Sequence, residues 1–375
     1  MKKMSADSNV RAFFALLRAG LWGRGVCLLP CGDFDYGEVF RIAEEQSVSG
    51  LAAAGLGYVL DAVPPEDVQR RFLERAASIR TRNSSLDEML RFLVQRLREE
   101  RVHAVLVKGQ GVAQTYERPD LRTAGDIDFF FDSAGYERAK AVLAPLSQAA
   151  QAEGRHAKHL ALFLASVEIE LHGRMRTGLS SRVDAVIDDV QDDIFSRGAV
   201  RYWDCGGVEV SLPSPDNDAV IIFTHFLKHF YKGGIGLRQI CDWVRLLWTY
   251  RDKISRRLLT VRLQDMGLES EWKAFAAYAV EYLGMPASDM PLYDASGRWK
   301  RKACRIHAFI LEVGNFGHNR DMDYYAKYPY LVRKAVSMGR RVADLVRHAL
   351  IFPLDSLRFF PRIMLNGIRA AARGE

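Results

Sequence analysis

Two aspartates that flank one apolar residue have the spacing in this chain best suited to chemistry. They lie in the run Gly125-Asp126-Ile127-Asp128-Phe129-Phe130-Phe131. Alternate side chains of a β-strand share a face, so Asp126 and Asp128 point one way while Ile127 and Phe129 enter the core. Two carboxylates on one face resist burial unless a cation lies between them. The pattern therefore predicts a divalent metal site.

A glycine-bearing segment upstream has the composition of a phosphate-binding turn. Lys108-Gly109-Gln110-Gly111 follows the apolar run 102–107 and leads into a predicted helix. Glycines let a ligand approach the backbone closely, and a helix N-terminus favours anions. All four residues are candidate phosphate contacts, and Lys108 and Arg122 are the cations expected near them.

A second strand pattern, Val167-Glu168-Ile169-Glu170-Leu171, carries two more acids on one face. Nucleotidyl transfer with two metals needs carboxylates around Mg²⁺ ions about 3.5 to 4 Å apart, backbone amides near the phosphates and basic side chains. Either Glu168 or Glu170 can supply the third carboxylate. His172 beside them either contacts a nucleotide or orients Glu170 by hydrogen bonding.

Two predicted helices after residue 215 carry further polar candidates. His225 and His229 lie four residues apart and could bind zinc, but with no third ligand visible a packed or capped pair is favoured. Lys228, Lys232 and Arg238 could line a triphosphate channel. Arg238 and Asp242 could equally form an ion pair on a helix surface.

The predicted secondary structure that positions these residues changes twice along the chain, from helices to a mixture of strands and helices and back to helices. Residues 9–100 read as helical, with one long stretch starting at Pro64-Pro65-Glu66-Asp67 and a second helix from about 85 to 100. From about 102 to 215 the pattern predicts short strands, two hairpins and a helix at 136–150. Helices follow, the first of them capped by Asp216, and the last, from about 330 to 373, is expected to be interrupted at Pro353 and Pro361.

The predicted organisation therefore has four parts. Residues 1–100 form a helical N-terminal region, 101–215 an α/β core, 216–325 a helical domain and 326–375 a basic amphipathic helical tail. The predicted fold class is α/β in the broad α+β sense, with a small mixed sheet flanked by helical regions.

Composition is that of an ordinary globular protein, with 375 residues of which 49% are hydrophobic. No run of 18 apolar residues predicts a transmembrane helix, and the start lacks the apolar centre of a signal peptide. The five cysteines are odd in number and scattered, which is typical of free thiols. These features predict a cytoplasmic protein.

Positive charge is concentrated at the C-terminal end. Residues 327–375 hold ten Lys or Arg and three Asp or Glu, which matches the net charge of +7 of the whole chain. The balanced remainder argues against a surface built for duplex nucleic acid. Three roles are open for this tail: packing on the core of the protein, peripheral contact of residues 330–373 with an anionic membrane, and formation of a groove for RNA. We favour packing on the core.

Taken together, the motifs resemble the DNA polymerase beta-like nucleotidyltransferase superfamily, and more narrowly its bacterial uncharacterised nucleotidyltransferase family. The resemblance covers about residues 30 to 250. It is carried by Lys108-Gly109, Tyr116, Pro119, Arg122, Gly125-Asp126-Ile127-Asp128, Glu170-Leu171-His172 and Gly236-Leu237-Arg238-Gln239-Ile240-Cys241-Asp242.

The resemblance implies transfer of a nucleoside monophosphate from a metal-bound triphosphate such as ATP, with Mg²⁺ or Mn²⁺ as cofactor and pyrophosphate leaving. Asp126, Asp128 and Glu170 match the acids that bind metal and catalyse. The implied nucleotide-binding residues are Lys108, Gly109, Gln110, Gly111, Arg122 and Arg238. This chain departs from the superfamily in having Gly109-Gln110 where Gly-Ser or Gly-Gly is usual, and a glutamate as third acid.

Three functional hypotheses follow. The first is a metal-dependent nucleotidyltransferase acting on a hydroxyl or phosphate of a small molecule. The second is a transferase with a tRNA or protein acceptor, because toxin-like relatives act on such targets. The third is a nucleotide-binding or scaffold protein with the same fold and weak or no turnover, which the missing serine and the glutamate motivate.

Overall fold

A mixed β-sheet forms the centre of the molecule in the computed structural model, which describes residues 2–150, 158–314 and 330–372. The strands are β1 (Val105–Val107), β2 (Asp126–Phe130), β3 (Ala149–Ala150), β4 (His159–Leu164), β5 (Val167–His172), β6 (Val200–Cys205) and β7 (Val208–Pro213). Their order is β3-β4-β5-β2-β1-β7-β6. β2 runs parallel to β5, and β1 runs parallel to β7 and antiparallel to β2.

Helices precede, interrupt and follow the sheet. They are α1 (Lys2–Trp22), α2 (Tyr36–Glu45), α3 (Ser49–Leu56), α4 (Glu66–Glu99), α5 (Gly109–Ala113), α6 (Ser133–Leu143), α7 (Ser181–Phe195), α8 (Pro215–Lys232), α9 (Leu237–Thr249), α10 (Arg256–Met266), α11 (Glu269–Glu281), α12 (Gly297–Val313), α13 (Tyr330–Ile351) and α14 (Pro353–Ala372). Short 3₁₀ turns lie at Leu29–Cys31, Pro119–Leu121 and Ala144–Leu146. This architecture confirms the predicted fold class.

The two faces of the sheet are covered by different helices. Ile127 and Phe129 are buried on one face against apolar side chains of α4 and α6, as the strand pattern predicts. Phe130 and Val107 lie on the opposite face, which packs on α7 and α8. Because Asp128 is paired directly with Val107, the aspartates belong to this second face. The site therefore lies between the sheet and the helices that follow it.

The long helix α4 corrects the prediction of two separate helices before residue 100. Residues 66–99 form one continuous helix of 34 residues. This span contains no glycine or proline that would break the helix. In the sequence, the polar stretch around Asn83 resembles the end of one helix and the start of another. In the structure it is helical, and the Asn83 amide donates to the backbone carbonyls of Asp120 and Arg122.

Three further local predictions are wrong. The helix predicted over 136–150 is α6, which stops at Leu143 before Pro145, and Ala149–Ala150 pairs with β4 as a strand. Asp216 lies inside the first turn of α8, which begins after Ser214 at Pro215. In the basic tail Pro361 lies within α14 without ending that helix.

The helices outside the sheet share one hydrophobic core. Buried residues of α1, α2, α8, α9, α11 and α12 belong to a single cluster, which also includes Ile351, Phe352 and Phe359 of the tail. Arg358 donates to Ser180 Oγ and Arg362 to Asp184 Oδ2, so both tail arginines contact the region around α7. The four-part division of the chain stays a prediction. Within the described residues, no helix is long and apolar enough to cross a membrane.

Candidate active site

The predicted acids lie side by side on two parallel strands. Asp128 of β2 pairs with Glu170 of β5. Two residues earlier in each strand, Asp126 pairs with Glu168. Paired residues of neighbouring strands project to the same face. Asp126, Asp128 and Glu170 are therefore brought together, and we call these three residues the carboxylate face.

A cleft of about 560 Å³ opens in front of the carboxylate face. Helices α8 and α9 form its opposite wall. Its lining consists of Lys108, Gly109, Arg122, Asp126, Asp128, His159, Glu170, His172, Arg174, Met175, Arg176, Ile222, His225, Lys228, His229, Arg238, Gln239 and Asp242. Six of these side chains are basic and four are acidic, so the cleft suits an anionic ligand next to a metal.

Asp128 is the most buried acid of the carboxylate face, with a side chain only 2% exposed. Its Oδ2 lies 3.0 Å from Lys108 Nζ, and its Oδ1 lies 2.8 Å from His172 Nε2. Burial by itself raises the pKa of Asp128, but Lys108 and His172 outweigh burial and lower that pKa. Asp128 is therefore a carboxylate that the protein keeps charged.

Lys108 reaches Asp128 through an unusual backbone turn. Lys108, immediately before the five-residue helix α5, has φ +58°, and Gly109, the first residue of that helix, has φ +43°. A lysine in this region is strained, and such strain persists only where the surrounding structure enforces it. The turn therefore directs the lysine side chain at the site, while Gly109 brings backbone to the cleft surface.

Asp126 differs from its neighbour in lacking a compensating contact. Its carboxylate makes no hydrogen bond or ion pair with any residue that the structure describes. Burial and then the charge of Asp128 raise the pKa of Asp126 above its usual range. A cation at this position would relieve both effects.

Glu170, and not Glu168, is the acid of β5 that lines the cleft. Glu170 Oε2 lies 3.3 Å from His159 Nε2 and 3.1 Å from His172 Nε2. Hydrogen bonds from these two histidines lower the pKa of Glu170. Burial raises the pKa of Glu168, and Glu170 raises it further. His172 contacts both Asp128 and Glu170, which supports its predicted orienting role.

Arg122 lies in a buried cluster with Asp242 and Tyr116. Arg122 Nη2 and Nε donate to the two oxygens of Asp242 at 2.7 and 2.9 Å, and Tyr116 Oη donates to Asp242 Oδ1 at 2.7 Å. Burial by itself lowers the pKa of Arg122, but Asp242 outweighs it and raises that pKa. We call these three residues the ion-pair cluster. Asp242 thus pairs with Arg122 and not with Arg238, against one of the two predictions.

Gln110 and Gly111 do not belong to the cleft lining. The Gln110 amide donates to Asp87 Oδ1 on α4 at 2.6 Å. A Cβ on Gly111 would lie 2.6 Å from the Leu212 side chain, so glycine there allows α5 to pack on β7. Of the predicted turn, only Lys108 and Gly109 face the site.

Three cations of the cleft make no ion pair with any residue that the structure describes: Arg174, Lys228 and Arg238. Arg238 donates to the Thr123 carbonyl at 2.9 Å and its Nε has no partner there. Burial lowers the pKa of Arg238 and that of Lys228. By contrast Arg176, also at the cleft, forms a bidentate pair with Asp188.

His225 and His229 line the same cleft from α8, with their Nε2 atoms 3.2 Å apart. Burial lowers the pKa of His225 well below its usual range and that of His229 to about 3. Among the described residues, no third acid, cysteine or histidine joins them to form a metal-binding group. The interpretation of a packed pair stays a prediction.

Four polar cleft residues had no predicted role: His159, Arg174, Arg176 and Gln239. A signal for His159 was present, because a two-residue turn at Ala165 and Ser166 sets the register that pairs His159 with His172. Arg174 lies two residues after the Glu-Leu-His strand end, but its orientation depends on the loop. Gln239 is buried, and its Oε1 has no partner in the described structure.

The sequence model of a family described as uncharacterised nucleotidyltransferase matches residues 32–284. The chain belongs to this family, which confirms the family predicted from the motifs. The matched segment contains every cleft-lining residue named above. No curated protein and no solved structure matches the chain.

Proposed function

We propose that this protein is a metal-dependent nucleotidyltransferase, with the cleft between β2, β5, α8 and α9 as its active site. The observation that carries the proposal is the carboxylate face, whose three acids project from neighbouring parallel strands into a cleft with excess positive charge. Neighbouring carboxylates repel one another and lose hydration in a cleft, so such a group is typical of a cation-binding or catalytic site.

The donors fit Mg²⁺ or Mn²⁺. Both ions prefer carboxylate oxygens, which Asp126 and Asp128 present from one strand face. Asp126 is the clearest candidate ligand, because its half-buried carboxylate lacks a partner among the described residues, while desolvation and then Asp128 raise its pKa. When bound, the ion would link these acids to phosphate oxygens and offset the charge that develops there.

The basic side chains of the cleft suit the triphosphate. Arg174, Lys228 and Arg238 are cations that form no ion pair in the described part of the chain. Arg122 Nη1, Arg238 Nε and Gln239 Oε1 are buried polar atoms without a partner among the described residues, and such atoms need hydrogen bonds with a ligand or water. We assign phosphate contacts to Arg174, Lys228 and Arg238. Lys108 and Gly109 contribute from the sheet side.

In the proposed reaction an acceptor oxygen attacks the α-phosphorus of the bound triphosphate. The bond from that phosphorus to the bridging β-phosphate oxygen breaks, and pyrophosphate leaves with the electron pair. The acceptor proton passes to a carboxylate of the cleft. Positioning and charge stabilisation account for most of the catalysis in such transfers.

Pyrophosphate release from each of the four ribonucleoside triphosphates with Mg²⁺ or Mn²⁺ tests the proposal. We expect release with at least one nucleotide, and a fall of more than about 100-fold in Asp126→Asn and in Asp128→Asn. Glu168→Gln is the matched control, because Glu168 lies on β5 but outside the cleft. Release that survives in Asp126→Asn would contradict the assignment.

A binding protein without turnover is the second candidate, and the contacts of Asp128 favour it. Lys108 and His172 already compensate this acid, as they would in a site that binds nucleotide without a second metal. Tight binding of a triphosphate with no pyrophosphate release from any nucleotide would support this candidate.

The acceptor is proposed by chemistry class only. We favour a hydroxyl or phosphate of a small molecule, with tRNA or protein as the second choice. Membrane contact through residues 330–373 stays a separate proposal, motivated by the exposed side chains of Leu350, Leu354 and Leu357 near basic residues. It predicts co-sedimentation with anionic vesicles that weakens as salt is added.

A further inference from the structure

Two histidines that the proposed magnesium site does not use, His159 and His172, lie next to Glu170 at the edge of the carboxylate face. His159 of β4 pairs directly with His172 of β5, so both project to the face that carries Glu170. Their rings lie 4.8 Å apart. One potential ligand atom from each of the three residues lies within 4.8 Å of the other two.

The spacing of these donor atoms is that of ligands around one ion. His159 Nε2 and His172 Nε2 lie 3.3 and 3.1 Å from Glu170 Oε2, and His172 Nε2 lies 2.8 Å from Asp128 Oδ1. Ligands bound at roughly 2.0 to 2.2 Å stand about 2.9 Å apart at right angles and about 3.4 Å apart in a tetrahedron. Little movement is therefore needed to receive a metal.

Donor chemistry distinguishes this position from a magnesium site. Mg²⁺ takes six oxygen ligands and binds few nitrogen donors, whereas imidazole nitrogen suits zinc, iron and cobalt. We infer that His159, Glu170 and His172, with Asp128 beside them, form a second metal position that binds a divalent transition-metal ion in preference to Mg²⁺. The use of this ion in catalysis rests on the proposed function, but its binding does not.

The position is accessible and partly pre-formed. The His159 side chain is 38% exposed at the cleft, which gives an entry path, while the His172 side chain is 17% exposed and lies between two acids. Two adjacent strands hold the three residues, and regular strands fix ligand directions more firmly than loops do.

Cobalt binding to the full chain tests the inference, because Co²⁺ reports nitrogen ligands through its visible absorption. After treatment with a chelator, the protein is titrated with Co²⁺ without nucleotide, by absorption and by calorimetry. We expect one bound Co²⁺ that Zn²⁺ displaces and millimolar Mg²⁺ does not. His159→Ala and His172→Ala should each weaken binding by at least about tenfold.

Two controls separate this position from others in the cleft. Asp126→Asn should retain Co²⁺, because Asp126 is assigned to the magnesium position. The double variant His225→Ala/His229→Ala should also retain it, since this pair lacks a third ligand in the described structure. Should His172→Ala fail to fold, the more exposed His159→Ala still decides the outcome.

Each failure has its own signature. Co²⁺ binding that is unchanged in His159→Ala, or equally lost in the His225/His229 double variant, would overturn the inferred position. Displacement of Co²⁺ by Mg²⁺ at comparable concentration would overturn it as well. Pyrophosphate release that never occurs, with Co²⁺ still bound through the histidines, would instead overturn the proposed function alone.

Discussion

The carboxylate face and the ion-pair cluster line the same cleft, yet they differ in how their charges are compensated. In the ion-pair cluster, Asp242 receives three hydrogen bonds from Arg122 and Tyr116, and all three side chains are at most 7% exposed. In the carboxylate face, Asp126 has no such partner among the described residues.

Under the proposed function, this difference divides one set of motif residues into a structural group and a ligand-binding group. A charge fully paired inside the protein contributes to holding segments together, here the loop before β2 and helix α9. A buried charge without a partner destabilises the fold and persists where a ligand needs it. The comparison predicts that replacing Asp242 of the ion-pair cluster lowers the stability of the fold, whereas replacing Asp126 of the carboxylate face raises it.

The largest effect is expected for the ion-pair cluster. Asp242→Ala leaves the buried Arg122 charge and the Tyr116 hydroxyl without their acceptor, and it should lower the free energy of unfolding by about 3 to 5 kcal/mol. Urea titration measures this loss. Asp252→Ala, at a side chain 87% exposed, is the control and should change stability by less than about 0.5 kcal/mol. A small loss in Asp242→Ala would mean that the cluster is not structural.

The two aspartates of β2 should respond in opposite directions. The pKa of Asp126 is raised in the folded state, so folding binds a proton that the unfolded chain releases, and the contribution of Asp126 to stability falls as pH rises through the acid range. Asp126→Asn should therefore raise the melting temperature at pH 7. The pKa of Asp128 is lowered, so its contribution is present at neutral pH and is lost as pH falls through its folded pKa.

Asp128→Asn should accordingly lower stability at pH 7 by roughly 1.5 to 3 kcal/mol, because Lys108 and His172 lose a charged partner. Thermal melts of both variants from pH 4 to 8, with EDTA present to exclude metal, measure the two trends. The comparison fails if both variants are destabilised equally across this range.

The carboxylate face could be predicted from the sequence because it depends on local geometry. Period-two alternation fixes Asp126 and Asp128 on one face, and β5 repeats the pattern with Glu170. The hairpin register that pairs His159 with His172 follows from the short turn between β4 and β5, so this contact was also within reach of sequence reasoning.

The ion-pair cluster could not be predicted, because its members contact residues that are far away in the sequence. Arg122 and Asp242 are 120 residues apart, and sequence spacing suggested the local pair of Arg238 with Asp242 instead. Tertiary packing decides which arginine reaches the acid. The continuous helix α4 was missed for a similar reason, since Asn83 is held in it by distant carbonyls.

The smallest expected effect concerns the basic side chains of the cleft, where the same contrast between paired and unpaired charge recurs. Lys228 makes no ion pair in the described residues, whereas Arg176 is held by Asp188. Lys228→Ala should weaken binding of a nonhydrolysable triphosphate about tenfold, since a hydrogen bond to a charged group is worth about 1.5 kcal/mol. Arg176→Ala, the matched control, should change Kd less than about threefold, because its guanidinium is already occupied. Calorimetric titration of both variants with Mg²⁺ present measures the difference. If Arg176→Ala weakens binding as much as Lys228→Ala does, pairing within the protein does not decide which cations bind the ligand.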